Sequence, residues 1–269
     1  MKTGGRTSVL EPASSATLFD AHLHPTSMST QDLESMRFFG VTRALVFAPV
    51  GAEKTASKIL ESLRALVTRE LPRLKASGIQ GLAAVGIHPR SIPRRGLAEV
   101  MAALPDFFKG GKVVALGETG LHEGTEEEVE SLQAHLALGK KLKVPVILHS
   151  PQKDKERQTR RMLTLVRESG ILPSRVLVDH ANPRTVKLIL ELGCYAGLTL
   201  HPDELSTERA VELVRKLGPE RLVLDSDAGD RAGDILTLGR AFNLLQKAKL
   251  SHSVIARVTE DNVLEFLRR

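Results

Sequence analysis

Tryptophan is absent from this chain, tyrosine occurs once, and aromatic residues make up only 3% of it. A platform for stacking single-stranded bases is therefore poorly supplied. Cysteine also occurs once, as Cys194. No internal disulfide can form, and a reducing, cytoplasmic setting is the expectation. No run approaches the ~18 uninterrupted apolar residues of a membrane span, so no membrane partner is expected. The opening MKTGGRTSVLEPASSATL is polar and small, without the apolar stretch of a secretory leader. Nucleotide loops are missing too: no GxGxxG follows the first apolar segment, and GxxxxGK[ST] occurs nowhere.

What is present is ordinary globular material, 42% hydrophobic and 26% charged over 269 residues. That suffices for one large domain, and a (β/α)8 barrel needs about 250 residues. The net charge of +6 leans toward anionic partners, although solubility alone accounts for such a charge.

From residue 18 onward, short apolar runs alternate with longer amphipathic stretches. Strands are expected at 18–25, 43–50, 80–89, 112–121, 144–150, 175–181, 194–202 and 221–229. Each is followed by a segment with apolar residues three and four apart, the spacing of a helix face, and a last helix closes the chain. The strands are rich in Val, Leu and Ala, as strands buried on both faces are. Thr125, with Glu128 three residues on, reads as a capping box. Gly40, Gly170 and Gly193 stand where helix C-caps belong. Eight strand–helix units mean a barrel or a doubly wound open sheet. Without a nucleotide loop, a single-domain α/β fold of the (β/α)8 TIM-barrel type is favoured over 18–269, with 1–17 as a loose N-terminal extension.

Seven of the nine histidines fall at or just past an expected strand end: His22, His24, His88, His122, His149, His180 and His201. Glu118 and Asp227 lie at strand ends as well. In a parallel barrel all strand ends open on one face, where active sites of this fold are built. His22 and His24 are two apart in a strand, so both rings project to one side and can grip one cation. Glu118 can bridge two cations, one oxygen each. His149 and His180 are placed to hold the second, and Asp227 completes the ring. Imidazole and carboxylate donors suit two divalent metal ions, zinc first, with manganese or magnesium as alternatives.

The segments FDAHLHP, GIHP, GETGL, PVILHS, VDH and LDSDA, in this order, resemble the TatD family of metal-dependent hydrolases over roughly 18–267. The likeness extends to Gln133 in the fourth helix and to the run from Asn262 to Phe266. It implies that His22, His24, Glu118, His149, His180 and Asp227 are metal ligands, and that His88 is an active-site residue beside them. His122 stands where the family usually has Asp. Asp225, Ser226 and Asp227 replace a usual Glu-Thr-Asp, and Gly229 a usual Pro. The stretches HPTSMST, HSPQKDKERQTRR and LTLHPDELS look closer to an uncharacterised branch of predicted hydrolases than to the nuclease members.

Two adjacent cations activate water and polarise the bond under attack. Asp227 and Glu118 are then catalytic as well as ligating, with Asp227 as proton shuttle. The expected reaction is hydrolysis of a phosphoester, in DNA, a nucleotide or another anionic small molecule. Arg90, Arg94 and Arg95 follow His88, and Lys153 and Lys155 follow His149. They are either phosphate contacts or, for the lysines, a solvated helix start balanced by Asp154 and Glu156. His201 is either a substrate contact or a loop residue. Asp20 shares the His22 side of its strand and could support that ligand. Cys194 reads as a buried small residue. The alternatives are an amidohydrolase or lactonase acting on a small metabolite, and a non-catalytic metal-binding barrel.

Overall fold

The computed structural model describes residues 17–51, 55–230 and 233–268. The expected extension therefore lies outside the described residues, apart from Thr17. Eight parallel strands run in chain order: β1 (Leu18–Leu23), β2 (Val41–Val46), β3 (Gln80–Val85), β4 (Val113–Gly120), β5 (Val146–His149), β6 (Val176–Val178), β7 (Tyr195–Thr199) and β8 (Leu222–Asp225). The sheet closes on itself through a parallel bridge between Leu23 and Ala228. His24 N–H donates to Ala228 O at 2.8 Å and Asp227 N–H to His22 O at 3.1 Å. The molecule is a (β/α)8 barrel.

Helices fill the connections: α1 (Thr30–Phe38), α2 (Ala56–Ala65), α3 (Leu71–Ala76), α4 (Leu97–Phe107), α5 (Glu126–Leu142), α6 (Lys155–Ser169), α7 (Val186–Leu192), α8 (Thr207–Leu217) and α9 (Thr237–Lys247). α10 (His252–Ala256) and α11 (Asn262–Leu267) close the chain. Gly40, Gly170 and Gly193 hold positive φ after α1, α6 and α7, as C-caps require. Among the described residues, no helix is long and apolar enough to cross a membrane.

The apolar residues sort into two cores. Outward-facing side chains of the strands pack on the helices. Inward-facing ones, including Phe19, Leu45, Ala84, Ala115, Ile147, Leu177, Tyr195 and Val223, fill the barrel. Val263, Phe266 and Leu267 of α11 join that inner core, with Phe266 against Tyr195, ring centroids 5.2 Å apart. Asn262 anchors α11 by donating from Nδ2 to Pro219 O (2.7 Å) and Leu222 O (2.8 Å).

The strands end earlier than the apolar runs suggest. β3 stops at Val85 and β6 at Val178, so His88 and His180 sit just past the ladder. Two register irregularities matter for the site. In β1, Phe19 and Ala21 face the interior while Leu18 and Leu23 face the helices. The alternation slips between Asp20 and Leu23, where the pairing with β2 is irregular, and His22 turns inward. β4 has a similar irregularity between Leu116 and Thr119, at Glu118.

Gly139, inside α5, makes room for β5: a Cβ there would meet Val146 Cγ2 at 2.4 Å. Val146 is fully buried and β-branched, so it yields little. Gly→Ala in a helix gains about 1 kcal/mol in propensity, but overpacking a core costs about 1–3 kcal/mol. We therefore expect Gly139→Ala to destabilise the protein by about 1–2 kcal/mol in a denaturant midpoint measurement. A gain in stability would mean that the α5–β5 contact is looser than this geometry.

Candidate metal centre

Glu118, 6% exposed, stands at the middle of a histidine cluster. Its Oε1 lies 2.9 Å from His149 Nδ1 and 3.2 Å from His180 Nε2. Its Oε2 lies 3.6 Å from His22 Nε2 and 3.7 Å from His88 Nε2. Beside this group, His22 Nε2 and His24 Nε2 are 3.1 Å apart, with Asp227 Oδ1 3.3 Å from His24 and 3.8 Å from His22. Among the described residues, three sets of donor atoms are compact enough to hold a cation: His22, Glu118 and His180; His22, His24 and Asp227; His88, Glu118 and His149.

The outer ring nitrogens decide which atoms are available. His24 Nδ1 donates to Ala48 O at 3.1 Å, His22 Nδ1 to Asp179 Oδ2 at 2.5 Å, and His180 Nδ1 to Thr199 Oγ1 at 2.9 Å. Each neutral ring then turns the lone pair of Nε2 inward. Two such lone pairs 3.1 Å apart repel one another unless a proton or a cation lies between them, and a donor set of this kind fits a metal. His149 Nε2 is buried without a partner. His88 differs. Its Nδ1 accepts the Arg90 N–H at 3.1 Å, so the neutral ring carries its proton on Nε2, the atom facing Glu118. His88 is thereby arranged as a hydrogen-bond donor, while the ligating tautomer would forfeit the Arg90 contact.

Behind these candidate ligands runs a polar layer that the sequence left unassigned. Asp179, at the end of β6, takes His22 Nδ1–H on Oδ2 and the His180 N–H on Oδ1 at 2.9 Å. Thr199 of β7 sits among His180, Asp179 (3.1 Å) and Asp225 (3.3 Å). Asp20 supports the neighbouring segment and not the His22 ring: it accepts N–H and Oγ–H of Ser226, at 3.0 and 2.5 Å, and the backbone N–H of His22 at 3.3 Å. It thereby fixes the turn that presents Asp227, whose φ is 49°. Phe47 stacks on His22 with centroids 4.0 Å apart. The signal for Asp179 was its place in VLVDH, a charged residue in an apolar strand, which must be paired when buried.

Charges in the site support one another. Burial alone would lower the pKa of His22; the carboxylates of Glu118 and Asp179 outweigh it and hold the ring well above its usual value. His180 is likewise opposed by burial, yet Asp179 and Glu118 raise it to about 9. Glu118 and Asp227 are held well below the usual carboxylate range, because nearby imidazoles overcome the burial that would raise them. Burial keeps His88 and His149 low. Asp225 is pushed well up by burial and then by Asp179.

The basic residues expected around the site divide. A cavity of about 160 Å³ opens above Glu118, and Arg90, Lys153, His122, Glu123 and Gln152 line it. Arg94 and Arg95 are exposed on the same connection as Arg90 but do not line it. Lys155 is not on the rim: its buried ammonium donates to His180 O at 2.6 Å and pairs with Glu204 at 2.8 Å. It is a strut between two connections, because the start of α6 turns inward at Asp154, φ 50°. His201 is also turned away, lining a separate groove of about 780 Å³ with Leu205, Thr237 and Leu244. The capping box at Thr125 forms by half. Thr125 Oγ1 accepts the Glu128 N–H at 3.4 Å, but the Glu128 carboxylate accepts the N–H groups of His122, Glu123 and Gly124. It thus shapes the connection carrying His122. Gln133 is exposed on α5. His135 is buried, its Nε2 accepting the Ile87 N–H at 3.1 Å, and so it steadies the residue before His88. Cys194 is buried at the start of β7, its thiol pushed up to about 12 by burial, as a packing residue should be.

A barrel with this cluster at its strand ends fits a metal-dependent hydrolase. Residues 19–267 match the family described as TatD related DNase, and the chain belongs to the TatD family. It is similar to an uncharacterized metal-dependent hydrolase of Methanocaldococcus jannaschii, 32% identical over 93% of this chain and 100% of that protein. Among solved structures it resembles the TatD-like protein of Archaeoglobus fulgidus, with TM-score 0.80 and 30% identity over 93% of this chain and 100% of that one. The phosphotriesterase homology protein of Escherichia coli, solved with phosphate in its active site, shares the fold, with TM-score 0.71 and 18% identity over 95% and 100% of the two chains.

Protons and cations compete for the same nitrogens. His180 is raised to about 9 and His22 is raised as well, so a cation must displace protons from these rings at neutral pH. Glu118 and Asp227, both depressed, stay ionised there. Metal affinity should therefore rise with pH until about 9, by about tenfold per pH unit for each proton displaced. Zinc or manganese titration calorimetry in buffers of different ionisation enthalpy reads the protons released. Equal affinity at two pH values with no release would contradict this electrostatic picture.

Proposed function

We propose that the chain binds two divalent cations, zinc first among the candidates with manganese and magnesium as alternatives, and uses them to hydrolyse a phosphoester. The observation that carries this reading is the division of Glu118: Oε1 faces His149 and His180, while Oε2 faces His22 and His88. A carboxylate so divided suits two neighbouring cations, one served by His22, His24 and Asp227, the other by His149 and His180. Bound there, such ions would lower the pKa of water and polarise the bond under attack.

The chain's own groups supply the rest. Asp227, kept ionised beside His24, accepts a proton on its carboxylate as water attacks. His88, neutral by burial, donates from Nε2 to oxygen on the substrate. Arg90 and Lys153 at the mouth give an anionic ester its first contacts, the guanidinium as a planar fork and the ammonium as a point charge. Arg94 and Arg95 add charge at a distance. Lys155 and His201 belong to the scaffold in this reading.

Elemental analysis should find about two equivalents of metal after incubation with zinc or manganese, since so many donors exceed what one tetrahedral zinc uses. Glu118→Gln should lose most of it and His201→Ala almost none. Equal losses in the two variants would remove Glu118 from its bridging role.

For the reaction, p-nitrophenyl phosphate mono- and diesters should be cleaved in preference to a panel of amides and lactones. Replacing Arg90 and Lys153 together by Ala should raise KM about tenfold or more, at the ~1.5–3 kcal/mol typical of a hydrogen bond to a charged group, and more at low salt than at high. A neutral lactone as best substrate, with a KM indifferent to salt and to this variant, would favour the small-metabolite amidohydrolase instead.

A further inference from the structure

Hydrolysis of a phosphoester needs a place for the attacking water and, across the phosphorus, a place for the departing oxygen. In an in-line displacement the two oxygens share one axis. Asp227 takes the proton of the attacking water in the reading above, and it lies two residues past the end of β8, so the water is on the β8 side. The strands run in order around the ring, and β1 bridges to the segment after β8. β4 therefore stands four places from β8 by either route, directly across the barrel. The departing oxygen faces the connection that follows β4.

His122 is two residues past the end of β4 and lines the cavity above Glu118, together with His149, Arg90 and Lys153. Its ring centroid is 5.8 Å from that of His149. The backbone beneath it is tied from two sides. The buried Glu128 carboxylate accepts the N–H groups of His122 (2.7 Å), Glu123 (3.1 Å) and Gly124 (2.8 Å). From α6, Arg161 donates to Gly124 O at 2.6 Å and Gln158 Nε2 to Glu123 O at 3.4 Å. So held, the connection presents its side chain without reorganising, as a donor aimed at developing charge requires.

The edge of the ring that meets the cavity is a donor edge. Nδ1 is buried without a partner, while the side chain as a whole is 34% exposed, so Nε2 is on the open side. Glu123 Oε1 is 3.6 Å from Nε2. That carboxylate is near enough to favour the proton of the neutral ring on Nε2, and too far to take a hydrogen bond from it. The N–H is left for a ligand. Its neighbours are disposed differently. His88 lies deeper, its Nε2 turned to Glu118 at 3.7 Å. Arg90 and Lys153 reach in on long stems, suited to the charge of a phosphate more than to one fixed oxygen.

Resting on the phosphoester reading above, we propose that His122 is a catalytic residue, the hydrogen-bond donor to the leaving-group oxygen. The water oxygen bonds to phosphorus and its proton passes to Asp227, which returns it to solvent. The electron pair of the broken P–O bond stays on the departing oxygen. That oxygen accepts the hydrogen bond from His122 Nε2–H and then takes a proton from solvent at the open mouth. Such a donor counts most where the departing oxygen carries most charge. The site is thereby suited to the ester of a weakly acidic alcohol, such as a sugar hydroxyl, in a nucleotide or outside one.

The test compares the metal-loaded full chain with its His122→Ala and His122→Gln variants on a series of aryl phosphate esters. The series is 2,4-dinitrophenyl, 4-nitrophenyl and phenyl, in whichever of the mono- and diester forms the wild type cleaves faster. In His122→Ala the loss in kcat should grow along the series, from about threefold with dinitrophenyl to about thirtyfold or more with phenyl, since removing one such donor costs up to roughly 10²–10³. The amide N–H of His122→Gln can reach the place of Nε2 and should restore about tenfold of the phenyl rate. Metal content and melting temperature of both variants should match the wild type. An equal loss along the series, or no recovery with Gln, overturns the proposal and leaves the phosphoester reading intact. Metal loss in both variants as large as in Glu118→Gln also overturns it, by making His122 a ligand. Turnover of lactones or amides by the wild type, with none of any phosphate ester, overturns that reading and the proposal with it.

Discussion

The facing lone pairs of His22 and His24, 3.1 Å apart, set the terms for the residues around them. With both rings neutral such an arrangement is unfavourable in a buried site, and neither ring can turn away. His22 is held at Nδ1 by Asp179 and on its face by Phe47; His24 is held at Nδ1 by the Ala48 carbonyl. The strain is electrostatic, and it is relieved by whatever positive charge arrives, a proton or a cation. That is why the carboxylates are depressed and two of the imidazoles raised. The site is arranged for charge it does not itself contain. Removing Asp179 would free the His22 ring to rotate and leave a buried imidazole without its partner, a larger loss than one hydrogen bond of about 1 kcal/mol suggests.

The barrel makes that arrangement possible by failing locally to be regular. Ideal alternation would send His22 and Leu23 to the sides opposite those they occupy. The irregularities in β1 and β4 fall where His22 and Glu118 enter, and the barrel's closing hydrogen bonds run through His22, His24 and Asp227 themselves. The candidate ligands and the closure of the barrel therefore share a seam. A cation bound there would tie the first strand to the last, coupling metal content to the stability of the whole fold.

The fold and the six ligand candidates were readable because both follow from one-dimensional patterns: apolar runs of strand length, and histidines or acids at their ends. The supporting layer was not. Nothing in VDH says which ring Asp179 will face, since its partner His22 lies 157 residues away. Lys155 looked like a rim cation because a helix start is usually solvated; only the inward turn at Asp154 shows that its ammonium lies under the β6 and β7 connections. His201 stood at a strand end as the ligands do, yet its connection turns it to the outer groove. Periodicity assigns a residue to an element, while the direction of a connection is settled by packing among several. His135 illustrates the same limit. Its helical position suggested no role, but the helix face it occupies abuts the end of β3.

Substrate choice belongs to the connections more than to the cluster. The candidate ligands come from strand ends fixed by closure and by the inner core, so they tolerate little change. The rim residues Arg90, Glu123, Gln152 and Lys153 come from segments whose backbone is tied by other groups. Glu128 gathers the N–H groups of residues 122–124, and Lys155 pins the turn after β6. With the backbone held from below, the exposed side chains above can vary at small cost to stability. A family name earned by one member's rim therefore transfers poorly to another's.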